Sequence, residues 1–491
     1  MKKIFKTMAV VTSVAAMMNL AGCGENNVKE KESEIPTLKW YVPGAAQDGT
    51  AEVMEAVNKI IEPKIGAKLD LIFIEDGAYN EKMTMYMASG EEFDMLFTGY
   101  LFNGIDAAKK GGLMPLKELM EKNTPNLFKS MPEYAWKSIS YEDDYYAVPN
   151  EQIWAMGRCV SFRKDLVEKY NFDVSKVKYY EDVEPFLDII LKNEPELYPT
   201  NISYSMNPKE AYDDDPLLES LMPGDAVYYS NRDNKVYAYY DAPYKYETFK
   251  KLHEWYEKGY IRKDIAVAKD ISSDVKLGKY AVTYEVYKPG VEKTIQDSRG
   301  GIEYVCVPIG NSPFIANTSA GATAISISAT SRHADKAIKL IELLNTDKEL
   351  YNMVCFGIEG KHYTKTGENR IELAEQSNYK PLNAWKFGNQ FNSYILPGQD
   401  DDVWEQTKAM NDSADVSKIC GVVLNSDNIK TELAQISKLT SQYIISVFNK
   451  GAEDPDKYWE ECKKAMKDAG IEKVVAEYQK QIDEFNASQN K

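Results

Sequence analysis

The stretch "LKWYVPGAAQDGTAEVMEAVNKIIEPKIGAKLDLIFI" (38–74) sets the fold class. "LKWYV" (38–42) and "KLDLIFI" (68–74) are short apolar runs rich in branched and aromatic residues, which predicts strands. Between them, Val53, Val57, Ile60 and Ile61 fall on one face of a helix, with Thr50 as its expected N-cap. A second helix, "YNEKMTMYMASGEE" (79–92), is expected to end near Gly90, and "FDMLFTG" (93–99) follows as a third strand. Alternating strands and helices predict an α/β fold whose parallel sheet carries helices on its faces. Ligands of such sheets meet the loops beyond the carboxyl ends of the strands. Here those loops hold Tyr41, Glu75, Asp76 and Tyr100.

The rest of the chain continues the alternation. "EDDYYAVP" (142–149) predicts a turn and strand, "SFRKDLVEKYNF" (161–172) a helix, and "SNRDNKVYAYY" (230–240) a hairpin. In "YETFKKLHEWYEKGYI" (246–261) the residues Phe249, Leu252, His253 and Tyr256 share a helical face. "KYAVTYEVY" (279–287) and "IEYVCVPIG" (302–310) read as strands. "GATAISISATSRHADKAIKLIELLNTD" (321–347) reads as a strand, then a helix with Ala337, Leu340, Ile341 and Leu344 inward. The last 60 or so residues are expected to be helical, with an apolar stripe of Val475, Tyr478, Ile482 and Phe485. No internal repeat is visible.

The chain has 491 residues and a formal net charge of −17. That acidity argues against binding nucleic acid, which rests on basic patches. Tyrosine is abundant at 34 residues, which points to aromatic surfaces outside the core, because tyrosine joins an apolar body to a polar tip. Beyond Cys23 the cysteines are Cys159, Cys306, Cys355, Cys420 and Cys462, with no CxxC pair, so zinc ribbons and redox motifs are not expected.

The N-terminus "MKKIFKTMAVVTSVAAMMNLAGCG" (1–24) has a lysine head and an apolar run from Met8 to Leu20. The run is too short to span a bilayer, which takes about 20 apolar residues, and reads as a secretory signal. "LAGC" (20–23) resembles the bacterial lipobox. The resemblance implies cleavage after Gly22, a lipid on Cys23, and a location on the extracellular face of the cell membrane. Residues 23–37 are polar and free of aromatics and read as a tether.

"DDYYAVPNE" (143–151), "SFRKDLVEKYNF", "LHEWYEKGYIRKDIA" (252–266), "GKYAVTYEV" (278–286) and "AISISATSRHADKAIKLIELLNTDKELYNMVCFGIEGKHY" (324–363) follow one another in an order and spacing that resemble the family 1 extracellular solute-binding proteins of ABC importers. "PLNAWKFGNQFNSY" (381–394) is similar to the C-terminal domain of unknown function of one lipoprotein branch. The resemblance implies a type II periplasmic-binding-protein-like fold with two α/β lobes, hinge strands crossing between them, and a helical C-terminal region. Lobe one is then 38–150 plus 285–324, and lobe two 151–284 plus 325–491. The crossings fall at "AVPNE", "VTYEV" and "ISISAT". A monomer would close on its ligand and present it to membrane permease subunits.

The aromatic content favours a carbohydrate, an oligosaccharide above all. Aromatic rings cover the C–H faces of a pyranose, while carboxylates, amides and guanidinium groups satisfy its hydroxyl rim. Candidate ligand-binding residues are Tyr41, Asp76, Tyr100, Glu151, Trp154, Arg158, Tyr287, Asn317, Glu359, Trp385 and Asn389. Each also has a plain structural reading as core, turn or ion pair. No cofactor and no metal is expected: "DDD" (213–215) and "QDDD" (399–402) lack the spacing of a calcium loop. HExxH, GxSxG and P-loop motifs are absent, so an enzyme is not expected. Two alternatives stay open: the same scaffold binding a peptide or other solute, and a cell-surface glycan hydrolase, which needs only two carboxylates.

Overall fold

The computed structural model describes residues 35–202, 218–268, 271–381 and 383–489. The signal segment and Cys23 lie outside the described residues, as does "DDD" at 213–215. Everything below concerns the compact unit Pro36–Lys491.

The chain opens with β1 (Thr37–Pro43), α1 (Thr50–Ile65), β2 (Lys68–Ile74), α2 (Asp76–Ser89), β3 (Met95–Gly99) and the short α3 (Gly104–Lys109). Val53, Val57 and Ile61 of α1 are buried as their spacing requires. The cap differs from expectation: Gly49 is the N-cap, and the Thr50 hydroxyl instead donates to the Gln47 carbonyl at 2.7 Å. Helix α2 stops at Gly90, whose left-handed backbone suits a residue without Cβ.

Next come β4 (Val148–Pro149), β5 (Met156–Arg163), α4 (Glu184–Asn193), β6 (Tyr198–Thr200), α5 (Lys245–Lys258), β7 (Tyr280–Tyr287), α6 (Val291–Ser298), β8 (Tyr304–Ile315) and β9 (Thr323–Ile327). The chain continues through α7 (Ala334–Thr346), α8 (Lys348–Phe356), α9 (Val403–Asp412), β10 (Asp415–Val416), α10 (Lys430–Leu439), α11 (Pro455–Asp468) and α12 (Ile471–Gln489). The hairpin expected near 230–240 is present as Val227–Ser230 paired with Lys235–Ala238.

Two five-stranded sheets organise these elements. The first has the order β2-β1-β3-β9-β4 and the second β10-β8-β5-β7-β6. In the first, β1 runs parallel to β2 and β3, while β9 runs antiparallel to β3. In the second, β5 is paired antiparallel on both sides, with β7 and with β8. Each sheet has its own core. One gathers Trp40, Val57, Ile61, Ile325, Leu340 and Leu344. The other gathers Val160, Phe162, Trp255, Ile436, Cys462 and Ile482, so the C-terminal helices α10–α12 pack into the second lobe. On α5 Phe249 and Leu252 are buried as expected, joined by Trp255 rather than Tyr256, and the His253 ring lies 2.9 Å from the Gly451 carbonyl.

The division of the chain between lobes corrects the expected one. Residues 285–315 stay with the second sheet, because Tyr304–Ile309 pair residue by residue with Arg163–Arg158. Residues 325–356 stay with the first, where β9 pairs with β3 and α7 and α8 cover the same core. "VTYEV" is therefore interior to β7 and "ISISAT" belongs to β9 and the turn after it; neither crosses. The chain passes between sheets at 149–156, at 315–323, and again between Ile395, which bridges to Arg370, and Asp415, which pairs with Phe314. Asn411 on α9 ties the third passage to the first. Its side-chain oxygen accepts from the backbone N–H groups of Trp154 and Ala155 at 2.9 and 3.0 Å, and its amide donates to the Gln152 carbonyl at 2.7 Å.

Candidate ligand-binding cleft

The two sheets aim their strand ends and loops at a shared cavity of about 860 Å³. From the first lobe come Thr98, Gly99 and Tyr100 at the end of β3, Asn103, Asp106 and Lys109 of α3 and its cap, and Lys137, Ser138 and Tyr146. From the second come Met156 and Arg158 of β5, Tyr284 and Val286 of β7, and Ile309 and Phe314 of β8. The passage 316–322 forms the back. The walls differ in character: the first lobe offers hydroxyls, amides and charges, the second mostly apolar side chains. Tyr100 is 56% exposed, Met156 51% and Val286 49%.

Of the eleven expected ligand residues, Tyr100, Arg158 and Asn317 line this cavity. Beside Tyr100 lies Trp385, with ring centroids 5.9 Å apart, and both rings rest on Phe97. Asp76 belongs to the same rim. Its charge adds to burial in raising the Tyr100 phenol, and it lies 3.9 Å from the Lys386 amine. Lys386 is buried, donates to the Pro43 carbonyl at 2.7 Å, and is held below its usual range by that burial. Tyr100 after β3 and Trp385 of the 384–386 turn thus form an aromatic pair, of which Tyr100 lines the cleft.

The other expected residues sit elsewhere. Tyr41 turns into the core behind the sheet, against Tyr86 and Phe93, with its hydroxyl donating to Glu91. Trp154 is buried at the first passage, edge-on to Tyr134. Glu151 and Asn389 satisfy each other at 2.7 Å beside the first passage, where burial raises the Glu151 carboxyl. Tyr287 packs over Gly157 and among apolar neighbours rather than lining the cavity. Glu359 is exposed and pairs with Lys365 at 3.1 Å. Exposed pairs of this kind contribute about 0–1 kcal/mol, so Glu359→Ala is expected to leave the denaturant midpoint and ligand affinity at wild-type values.

Sequence reasoning missed Glu219. This buried carboxylate accepts from the Asn231 amide, the Ser417 hydroxyl and, at 2.7 Å, the Asn317 backbone N–H. Burial is the largest influence on it and raises its carboxyl despite those donors. Asn317 in turn spends its side chain on the backbone, accepting from Gly421 N–H at 2.9 Å and donating to the Val422 carbonyl at 3.1 Å. Asn317 therefore shapes the cleft wall. Met156, Val286 and Phe314 were also missed, because an apolar residue at a strand end carries no signal separating cleft from core.

Buried His362 accepts from Ile358 N–H and faces the Asn378 side chain, both at 2.9 Å. Among the described residues no cluster of histidine, cysteine and carboxylates could hold a metal. In "QDDD", Asp401 pairs with Arg370 and Asp402 accepts from Gln406.

The bacterial extracellular solute-binding protein family matches residues 48–350, and a domain of unknown function (DUF3502) matches 418–487. The chain belongs to the bacterial extracellular solute-binding protein family. A carbohydrate ABC transporter substrate-binding protein of Streptococcus pneumoniae serotype 4 is 33% identical over 99% of this chain and 98% of its own. The crystal structure of the N-glycan transport solute-binding protein NgtS from Streptococcus pneumoniae is 31% identical, covering 92% of this chain and all of that one, with a TM-score of 0.83. The TM-score is 0.72 for NgtS in complex with Man1GlcNAc and 0.68 in complex with Man5GlcNAc. This solute-binding protein therefore has the two-lobed α/β fold.

Proposed function

We propose that this protein captures an oligosaccharide in the cleft between its lobes and delivers it, as a monomer, to the membrane permease of an ABC importer. The observation that carries the reading is the 860 Å³ cleft, with hydroxyls, amides, charges and the exposed Tyr100 ring on one wall and the exposed apolar Met156 and Val286 on the other. A sugar has the matching chemistry, with C–H faces for the apolar wall and hydroxyls for the polar one. The 33% identical relative, named for carbohydrate transport, supports it. Closure then proceeds by rotation about the three passages, a hinge motion that commits the ligand.

The protein acts by binding and leaves the glycosidic bonds intact; new reducing ends released from labelled oligosaccharides would contradict this. It is held at the outer face of the cell membrane by a lipid on Cys23. Labelled palmitate should enter the wild-type protein and be lost in Cys23→Ala.

A thermal-shift panel of oligosaccharides and peptides tests the ligand class. A ligand at 100 times its dissociation constant adds about 2.7 kcal/mol of stability. Oligosaccharides are expected to shift the melting temperature; a shift with peptides alone would overturn the reading. Trp385→Ala should weaken oligosaccharide binding about thirtyfold, about 2 kcal/mol, while lowering folding stability by about 1 kcal/mol. Unchanged affinity in calorimetry would remove Trp385 from the site.

A further inference from the structure

The domain that begins at residue 418 supplies part of the cleft itself. Ile419, Gly421, Val422, Val423 and Leu424 line the cavity, in a segment without regular secondary structure. Such backbone needs outside support, and this segment has it on three sides. From the second lobe, Asn231 accepts from Lys418 N–H at 2.8 Å, and Asn317 brackets Gly421 and Val422. From the first lobe, the Tyr134 carbonyl lies 3.3 Å from the Cys420 thiol, and the Lys137 backbone lies against Gly421. Gly421 has φ +94°, and a Cβ there would approach Lys137 to 3.1 Å, so glycine permits both the turn and the contact. From its own domain, Gln481 of α12 holds the Asn425 N–H and carbonyl.

On the other side of this segment lies a second cavity of about 450 Å³, lined by Tyr134, Ser417, Lys418, Cys420 and Phe485 among others. Lys137 lines both cavities. Residues 417–421 thus divide between the two cavities, with Ser417, Lys418 and Cys420 lining the outer one and Ile419 and Gly421 the cleft, and form a partition one chain thick between them; 422–424 continue it along the cleft.

We propose that this partition is the blind end of the cleft, so that the domain of unknown function sets how long or branched an oligosaccharide the protein accepts. The inference rests on the oligosaccharide reading. The occupant at the partition is a terminal sugar unit whose C–H face lies on Val423 and Leu424.

Calorimetry with Man1GlcNAc and Man5GlcNAc on wild type and Val423→Trp tests it. The added indole fills the end of the cleft, so Man5GlcNAc affinity should fall about tenfold while Man1GlcNAc changes less than about twofold. Hydrogen exchange on the wild-type protein gives an independent readout: Man5GlcNAc should protect the amides of 420–424, Man1GlcNAc should not. Equal losses for both sugars, or unprotected 420–424 amides with Man5GlcNAc bound, would overturn the assignment alone. A wild-type protein that binds no glycan would instead overturn the oligosaccharide reading on which it rests.

Discussion

Glu219→Ala is expected to lower the free energy of unfolding by about 4 kcal/mol, because two buried donors and one half-buried donor lose their acceptor at once and each orphaned buried group costs about 1–3 kcal/mol. The donors are the Asn231 amide, the Ser417 hydroxyl and the Asn317 backbone N–H. They belong to separate parts of the chain, so the substitution loosens the cleft wall as well as the second lobe. Urea unfolding followed by circular dichroism measures the loss. Binding should fall with it, since the same carboxylate fixes Asn317 and, through it, Gly421 and Val422.

A pH dependence accompanies this prediction. Burial raises the Glu219 carboxyl, so the folded protein holds that proton more tightly than the unfolded chain does. The folded state is favoured most below the ordinary carboxylate range. The advantage is lost as pH rises from that range through the raised value, because the unfolded chain releases the proton first. Glu219→Gln replaces the titrating carboxyl with an amide that does not ionise, and its stability profile should be flatter over that interval. A profile parallel to wild type would show that Glu219 does not titrate there.

The second large effect is at Gly99. Its backbone has φ +135°, and a Cβ would lie 2.0 Å from the Ala322 carbonyl oxygen, inside any allowed contact. That oxygen also accepts from Tyr100 N–H at 2.9 Å. Gly99 therefore lets the end of β3 meet the 316–322 passage and sets where Tyr100 enters the cleft. Gly99→Ala should cost about 3 kcal/mol from the strained φ and the displaced passage. Oligosaccharide affinity should fall as well, because Tyr100 moves with the backbone. Urea unfolding and calorimetry on the one variant check both, and a variant of wild-type stability would contradict the close approach.

The fold was legible where period and punctuation agree. The 38–99 stretch shows its strands and helices because apolar runs alternate with one-sided helices and Gly90 marks a stop. The same logic placed Ala337, Leu340, Ile341 and Leu344 inward on α7, and all are buried. The lobe boundaries were not legible, because a strand's pattern does not say which sheet it joins. "VTYEV" and "ISISAT" are both fully plausible crossings by composition; only pairing with β5 or with β3 separates them. At the cleft, Tyr100 was legible as an aromatic just past a strand. Tyr41 met the same rule but lies inside β1, which runs to Pro43 and is buried on both faces there. Glu219 gave no signal, since a buried acid and a solvated one look alike among 76 acidic residues.

Calorimetric titration of the wild-type protein with a panel of oligosaccharides, Man1GlcNAc and Man5GlcNAc among them, decides whether the cleft takes a sugar. Saturable binding of at least one of them, at one site per chain, is expected. An absence of binding to Man5GlcNAc, to Man1GlcNAc and to every other oligosaccharide tried, by a protein shown to be folded, would contradict it.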